Sequence, residues 1–206
     1  MRGFALLLFA VAAWAQTAHQ QHHPPQSAAG YVKHLESPER AAWQKPHEVV
    51  TALALRPDEV VADIGAGPGY FTRRIARHVA KVYAVDIDAE LLTKAKDSSP
   101  GNVETIHATP DDPKLPAASV DTIFICDVLH HIENRPAYYA KLAAALKPGG
   151  RIVNIDFFKK KLPIGPPVGM KLTEQQVTDE LAAAGFHKTA KHDFLPYQYF
   201  LEFRTK

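Results

Sequence analysis

Three glycines at alternate positions, Gly65, Gly67 and Gly69, close the run Val60-Val61-Ala62-Asp63-Ile64-Gly65-Ala66-Gly67-Pro68-Gly69-Tyr70. The run opens apolar and β-branched, as a buried strand does, and ends on residues that permit positive φ and close approach of a ligand to the backbone. A helix starting there presents unpaired N–H groups to a polar or anionic ligand. The spacing discriminates between ligands. A dinucleotide fingerprint reads Gly-x-Gly-x-x-Gly, and here Tyr70 stands where the third glycine would fall. A P-loop needs Gly-Lys-Ser/Thr, which is absent.

The elements that must position this turn follow from periodicity. A helix is expected over Glu48 to Leu55 after Pro46, a strand over Glu59 to Ile64 and a helix over Tyr70 to Val79. The alternation continues with strand Lys81 to Val85, helix Asp88 to Lys96, strand Asn102 to His107, strand Val120 to Cys126, helix Arg135 to Leu146 and strand Arg151 to Asp156. Breakers fall between them at Pro100-Gly101, Pro113, Pro116 and Pro148-Gly149-Gly150. Runs such as Val-Asp-Thr-Ile-Phe-Ile-Cys suit strands covered on both faces, so the fold class is α/β, a doubly wound and mostly parallel sheet. Thr173 is expected to cap a helix running to Ala184, with Gln176 as its capping-box partner and Gly185 as the stop. The last two strands, about His187 to Phe194 and Gln198 to Arg204, are separated too briefly for a parallel crossover and should pair antiparallel.

Read as Asp-x-Gly-x-Gly-x-Gly, the glycine turn resembles motif I of the class I S-adenosylmethionine (SAM) dependent methyltransferases. Further segments match that family in order: Val82-Tyr83-Ala84-Val85-Asp86, whose acid lies 17 residues after Gly69; Ala108-Thr109-Pro110-Asp111-Asp112; Cys126-Asp127-Val128-Leu129-His130-His131; and Leu146-Lys147-Pro148-Gly149-Gly150. The resemblance covers about Trp43 to Phe157 and implies a seven-stranded Rossmann-like methyltransferase sheet with SAM as cofactor. It implies that Gly65, Gly67, Gly69 and Tyr70 pass beside the donor, and that Asp63 anchors the loop or meets the donor's amino group through water. Asp86 should hold the ribose hydroxyls, Asp111 or Asp112 should face adenine, and Asp127 should stand beside the methyl sulfonium. The Pro113-Lys114 insertion leaves the choice between Asp111 and Asp112 open.

Methyl transfer needs an aligned acceptor and, for a hydroxyl or ammonium acceptor, a base. His130 and His131, at the sheet edge where such folds bind ligands, are the candidates, with a shaping role in the cofactor pocket as the alternative. Cys126 is the only cysteine and lies inside an apolar run, which argues against cytosine C5 or arsenite methylation. No Asn/Asp-Pro-Pro-Tyr/Phe motif follows the fourth strand, which argues against adenine or amide N-methylation. Asp127 and Asp156 could share a divalent ion, but Phe157 replaces the usual amide ligand, and no metal site is assigned. Acceptor specificity is expected from Tyr31 to Trp43, the Pro-rich loop Lys159 to Lys171 and Leu195 to Tyr199, with Lys159-Lys160-Lys161 read as a solvated run.

The chain has 206 residues, net charge +2 and ordinary soluble composition. That balance disfavours nucleic acid and suits a small-molecule methyl acceptor. Arg2, the apolar stretch Phe4 to Ala13 and Ala13-Trp14-Ala15 read as a signal peptide, residues 1–15, too short to span a membrane permanently. Residues 16–30, with His19, His22 and His23, read as a flexible leader, and 31–206 as the methyltransferase-like domain. An exported protein, periplasmic or extracellular, is expected, with no disulfide inside the chain. Two other functions compete: an exported protein that binds SAM without catalysis, and a nicotinamide-dependent oxidoreductase.

Overall fold

The computed structural model describes residues 28–205. The signal-peptide stretch and the leader before Ala28 lie outside the described residues, and helix α1, Ala28–Leu35, takes up the last residues of the expected leader. The chain divides into two units between His34 and Leu35, and the sheet belongs to the second. No helix among the described residues is long and apolar enough to cross a membrane.

Seven strands form one sheet in the order β3-β2-β1-β4-β5-β7-β6: β1 Val60–Ile64, β2 Lys81–Asp86, β3 Val103–His107, β4 Val120–Cys126, β5 Leu146–Phe157, β6 Phe186–His192 and β7 Gln198–Thr205. β1 to β5 pair in parallel, and β7 runs antiparallel between β5 and β6. The α/β class, the mostly parallel sheet and the antiparallel C-terminal pair are those expected from the sequence. Alternate residues feed two cores: Ala62, Ile64, Ile123 and Ile125 on one face, Val61, Val82, Phe124 and Ile155 on the other, all at most 2% exposed. Burial on both faces explains why these strands read as continuous apolar runs.

Helices α2 Arg40–Gln44, α3 Pro46–Ala52, α4 Thr72–Ile75, α5 Ala89–Asp97, α6 Arg135–Ala145 and α7 Glu174–Ala183 flank the sheet. Asp88 caps α5 by accepting from the N–H groups of Glu90 and Leu91. Three expectations change. The helix predicted over Tyr70 to Val79 is regular only at Thr72–Ile75: after Ala76 tighter turns replace the helical bonds, Arg77 donating to the Arg74 carbonyl and His78 to that of Ile75, and the Asn102 amide donates to the carbonyls of Ala76 (2.8 Å) and Val79 (2.9 Å). Strand β5 starts at Leu146, since Leu146 already pairs with Val120 before the Gly149-Gly150 irregularity. At α7, Thr173 caps as expected, but the Gln176 side chain turns to Glu180, so the reciprocal half of the capping box is not made.

Register brings the chemistry to one edge. Asp86 pairs with His107, Cys126 with Ile155, and Phe157 with Gln198, so the C-terminal ends of β1, β2, β4 and β5 and the first residue of β7 lie along the same rim. This is the edge at which open α/β sheets bind ligands.

Candidate active site

After β1 the chain turns through Gly65 (φ +71°), Gly67 (φ +55°) and Gly69 (φ +93°), a conformation side chains rarely adopt. The N–H groups of Gly65 and Ala66 both donate to the Val85 carbonyl, tying the turn to β2. A Cβ at Gly65 would stand 2.2 Å from Val128 Cγ2, whereas at Gly67 the nearest atom within 4 Å is Leu35 Cδ1, at 3.6 Å. Gly65 is therefore glycine for close packing of the β4 exit, and Gly67 keeps backbone open beside the rim.

Two acids lock this loop. Asp63, 3% exposed, accepts from the Thr72 hydroxyl (2.6 Å), and burial pushes its carboxyl up to about 7, against the opposing hydrogen bond of Thr72. It is the anchor of the loop. Asp86 accepts from the N–H of Gly67 (2.7 Å) through Oδ2 and of Asp88 (3.0 Å) through Oδ1, while burial holds it above the usual carboxylate range. Each carboxylate oxygen accepts about two hydrogen bonds, so Asp86 retains capacity for hydroxyl donors. The two acids after β3 are held locally: Asp111, exposed, accepts from the Thr109 hydroxyl, and Asp112 accepts from the Lys114 N–H and pairs with Lys141 on α6. Ala108, whose N–H donates to the Asp86 carbonyl, keeps the start of this loop at the rim.

Asp127 follows β4 with φ +61°, a left-handed position that Asp tolerates better than most residues. Its Oδ1 accepts from Gln198 Nε2 (2.5 Å), and Arg40 Nη2 lies 4.0 Å from Oδ2. Burial first, then the nearby Asp156 charge, push its carboxyl up to about 6. Arg40 is fixed on every side: Nε donates to Gln44 Oε1 (2.8 Å), Nη1 to the Leu35 carbonyl (3.0 Å), and its guanidinium stacks 4.2 Å from the Tyr70 ring centroid. Arg74 stacks on the same ring at 4.1 Å. Tyr70 is thus the platform that aims Arg40. Gln44, fully buried, also donates to Gln198 Oε1 (2.9 Å) and toward Cys126 Sγ (3.1 Å), joining α2, β4 and β7 in one polar network. Burial raises the Cys126 thiol well above its ordinary value, consistent with an inert cysteine.

His130 stands in the 3-10 turn Leu129–His131, anchored by fully buried Leu129. Its Nδ1 lies 2.8 Å from Asp156 Oδ1 and 3.0 Å from Oδ2, with side chains 3% and 0% exposed. Burial opposes the imidazolium, but the hydrogen bond and charge of Asp156 outweigh it and hold His130 above its ordinary value. An ionised Asp156 only accepts, so Nδ1 carries the proton and Nε2 is the basic nitrogen. His131 is exposed, its ring centroid 4.2 Å from that of His130. Asp156 and Asp127 thus face His130 and Gln198, and no group of three or more His, Cys, Asp or Glu among the described residues could hold a metal ion.

Residues 62–154 match the methyltransferase domain family. An uncharacterised methyltransferase of Mycobacterium tuberculosis (strain H37Rv) is 32% identical over 108 residues, which cover 52% of this chain and 55% of that protein. A demethylmenaquinone methyltransferase of Tropheryma whipplei (strain Twist) is 33% identical over 116 residues, 55% of this chain and 48% of that protein. The chain spans about half the length of these curated relatives. The crystal structure of a SAM dependent methyltransferase from Aquifex aeolicus is 25% identical, covers 84% of this chain and 96% of that chain, and superposes with a TM-score of 0.79. The chain thus carries a methyltransferase domain over residues 62–154 and has the fold of the SAM-dependent methyltransferase family.

SAM is the cofactor of this family, and the methyltransferase rim fits it. The open backbone at Gly67 and the remaining acceptor capacity of Asp86 suit a nucleoside, with Asp86 as the group that would hold the ribose hydroxyls. The donor's amino-acid head is a zwitterion. Arg40 and Asp127, 4.0 Å apart and each fixed by neutral hydrogen bonds, offer the matching pair: Arg40 would hold the carboxylate and Asp127 the ammonium. Arg40, Gln44 and Gln198 carry no sequence motif. Arg40 lies in the segment expected to choose the acceptor, yet it stands beside Asp127 and Tyr70, two residues expected to meet the donor.

Proposed function

We propose that this methyltransferase moves a methyl group from SAM to a small-molecule acceptor, with His130 as the base that removes the acceptor's proton. The observation that carries this reading is the buried His130–Asp156 pair, placed by β4 and β5 on the same rim as the glycine turn, Asp86 and Asp127. Bound SAM supplies an electrophilic methyl carbon whose bonding pair stays on sulfur as the methyl leaves. The protein's part is alignment and proton transfer. Asp156 orients His130 and stabilises its protonated form; Nε2 receives the proton of an acceptor hydroxyl as its oxygen attacks, or of an acceptor ammonium before the resulting amine attacks. Trp43, half-buried with its ring 5.7 Å from Phe157, supports an aromatic wall for the acceptor. We also infer export of the mature protein from residue 16, on the strength of residues 1–15; Edman sequencing of the native protein tests this, and an intact Met1 would refute it.

Calorimetry gives the first functional test. S-adenosylhomocysteine should bind in the micromolar range, NAD should not, and Asp86→Ala should abolish binding. A screen of small hydroxyl and amine acceptors with labelled SAM then separates an enzyme from a protein that only binds the nucleoside: label transferred to no acceptor would overturn catalysis.

A further inference from the structure

Lys171 is 1% exposed, the only lysine among the described residues that is fully buried. Lysine is rarely buried without a countercharge, because desolvating an ammonium costs free energy that only a partner restores. Among the described residues, Lys171 has no such partner within 4.0 Å. Its Nζ donates to the carbonyl of Lys160 (2.9 Å) and stands 5.6 Å from the Phe157 ring centroid. A carbonyl dipole uses one of three donors and brings no negative charge. The Asp156 charge favours the ammonium through space but does not outweigh burial, which holds Lys171 below its ordinary value, and its carboxylate makes its hydrogen bonds elsewhere, accepting from His130 Nδ1 and from the Phe157 N–H (2.8 Å).

Its location is as informative as its burial. The loop between Lys160 and Lys171 is laid over Phe157 so closely that a Cβ at Gly165 would stand 2.7 Å from the ring. Phe157 also meets the Trp43 ring and follows Asp156 directly in β5. The ammonium therefore sits in the aromatic wall beside the His130–Asp156 pair, near enough for its charge to oppose protonation of His130.

We propose that Lys171 is the anion-binding group of the acceptor site, so that the methyl acceptor is a small molecule carrying a carboxylate or similar planar oxyanion, with its apolar body against Phe157. This rests on the methyltransferase function proposed above. The anion supplies a direct countercharge where the protein offers only the more distant charge of Asp156, and it draws the acceptor toward His130. A loop clamp, in which Lys171 only ties the two ends of the 160–171 segment, predicts no preference for charge.

The test uses full-length protein saturated with S-adenosylhomocysteine and two probes of one shape, benzoate and neutral benzamide, titrated by saturation-transfer NMR and calorimetry. Benzoate should bind roughly tenfold or more tighter than benzamide, as a charged hydrogen bond implies. The preference should persist in Lys171→Arg and vanish in Lys171→Met and Lys171→Gln. S-adenosylhomocysteine affinity serves as the check that each variant is folded. Equal binding of the two probes, binding of neither, or a preference that survives in both neutral variants overturns the proposal. Wild-type protein that fails to bind S-adenosylhomocysteine overturns the methyltransferase function itself, a separate outcome.

Discussion

His130 and Asp156 meet through Nδ1 and both carboxylate oxygens, at 2.8 and 3.0 Å, across two adjacent strand ends. The pair is buried, and it is this burial that gives Asp156 control over the proton on His130. His130→Asn should lower kcat by about 10²–10⁴-fold with a verified acceptor, the usual range for a lost general base, without weakening S-adenosylhomocysteine binding. Asp156→Asn should shift the acidic limb of the kcat profile to lower pH, because the charge that holds the imidazole above its ordinary value is gone. Unchanged turnover in the double variant His130→Asn, His131→Asn would sink the assignment of a histidine base.

Gly65 has no room for a side chain. Its φ is +71°, and an added Cβ would stand 2.2 Å from Val128 Cγ2. Gly65→Ala should destabilise the protein by about 1–3 kcal/mol and eliminate S-adenosylhomocysteine binding, since the backbone must shift where the cofactor is held. Val128→Ala combined with Gly65→Ala should recover part of the stability in thermal unfolding but not all of it, because removing the clash leaves the strained φ. Full recovery would show that contact alone dictates this glycine.

Much of the fold is legible along the chain, and what is hidden shares one cause. The strands, the turn and Asp86 are readable because each depends on local sequence: apolar runs, alternate glycines, an acid at a strand end. The partners of the buried acids are not. Gln198 reaches Asp127 from 71 residues away, and Gln44 reaches Gln198 from 154. Nothing local marks a glutamine that will be sealed inside such a network. The segment after α4 is likewise tied down from a distance, since Asn102, 26 residues downstream of Ala76, donates to its carbonyl. Along the sequence Asp156 is visible only as a possible ion ligand; its pairing with His130 emerges once β4 and β5 are adjacent.

Arg40 should recognise the amino-acid head of the donor and nothing else. S-adenosylhomocysteine carries that head and 5′-methylthioadenosine lacks it, so the two ligands separate a direct contact from general damage. Arg40→Met should weaken S-adenosylhomocysteine by roughly 10- to 100-fold, as expected for a charge-assisted hydrogen bond, and leave methylthioadenosine within about twofold. Equal losses for both would reduce Arg40 to a structural brace between Tyr70 and Gln44.

The unliganded protein should gain stability as pH falls from about 7.5 to about 5. Four buried groups act in the same direction. Burial raises Asp63 to about 7, Asp127 to about 6 and Asp86 above its ordinary value, and Asp156 raises His130 above its ordinary value. Each therefore takes up a proton in the folded state at a pH where the unfolded chain has already released it. With more protons bound folded than unfolded, the free energy of unfolding decreases as pH rises through this window, by at most about 1.4 kcal/mol per pH unit for each proton. Asp111, Asp112 and Glu180 lie below their ordinary values, so their contribution is lost only at lower pH, as each is protonated through its depressed folded value. Urea titrations at several pH values should show the rise, and Asp63→Asn should flatten it near pH 7 while the amide still accepts from Thr72. A stability that instead increases from pH 5 to 7.5 would mean that Asp63 and Asp127 are ionised in the folded state, with more compensation from Thr72, Arg40 and Gln198 than their distances suggest.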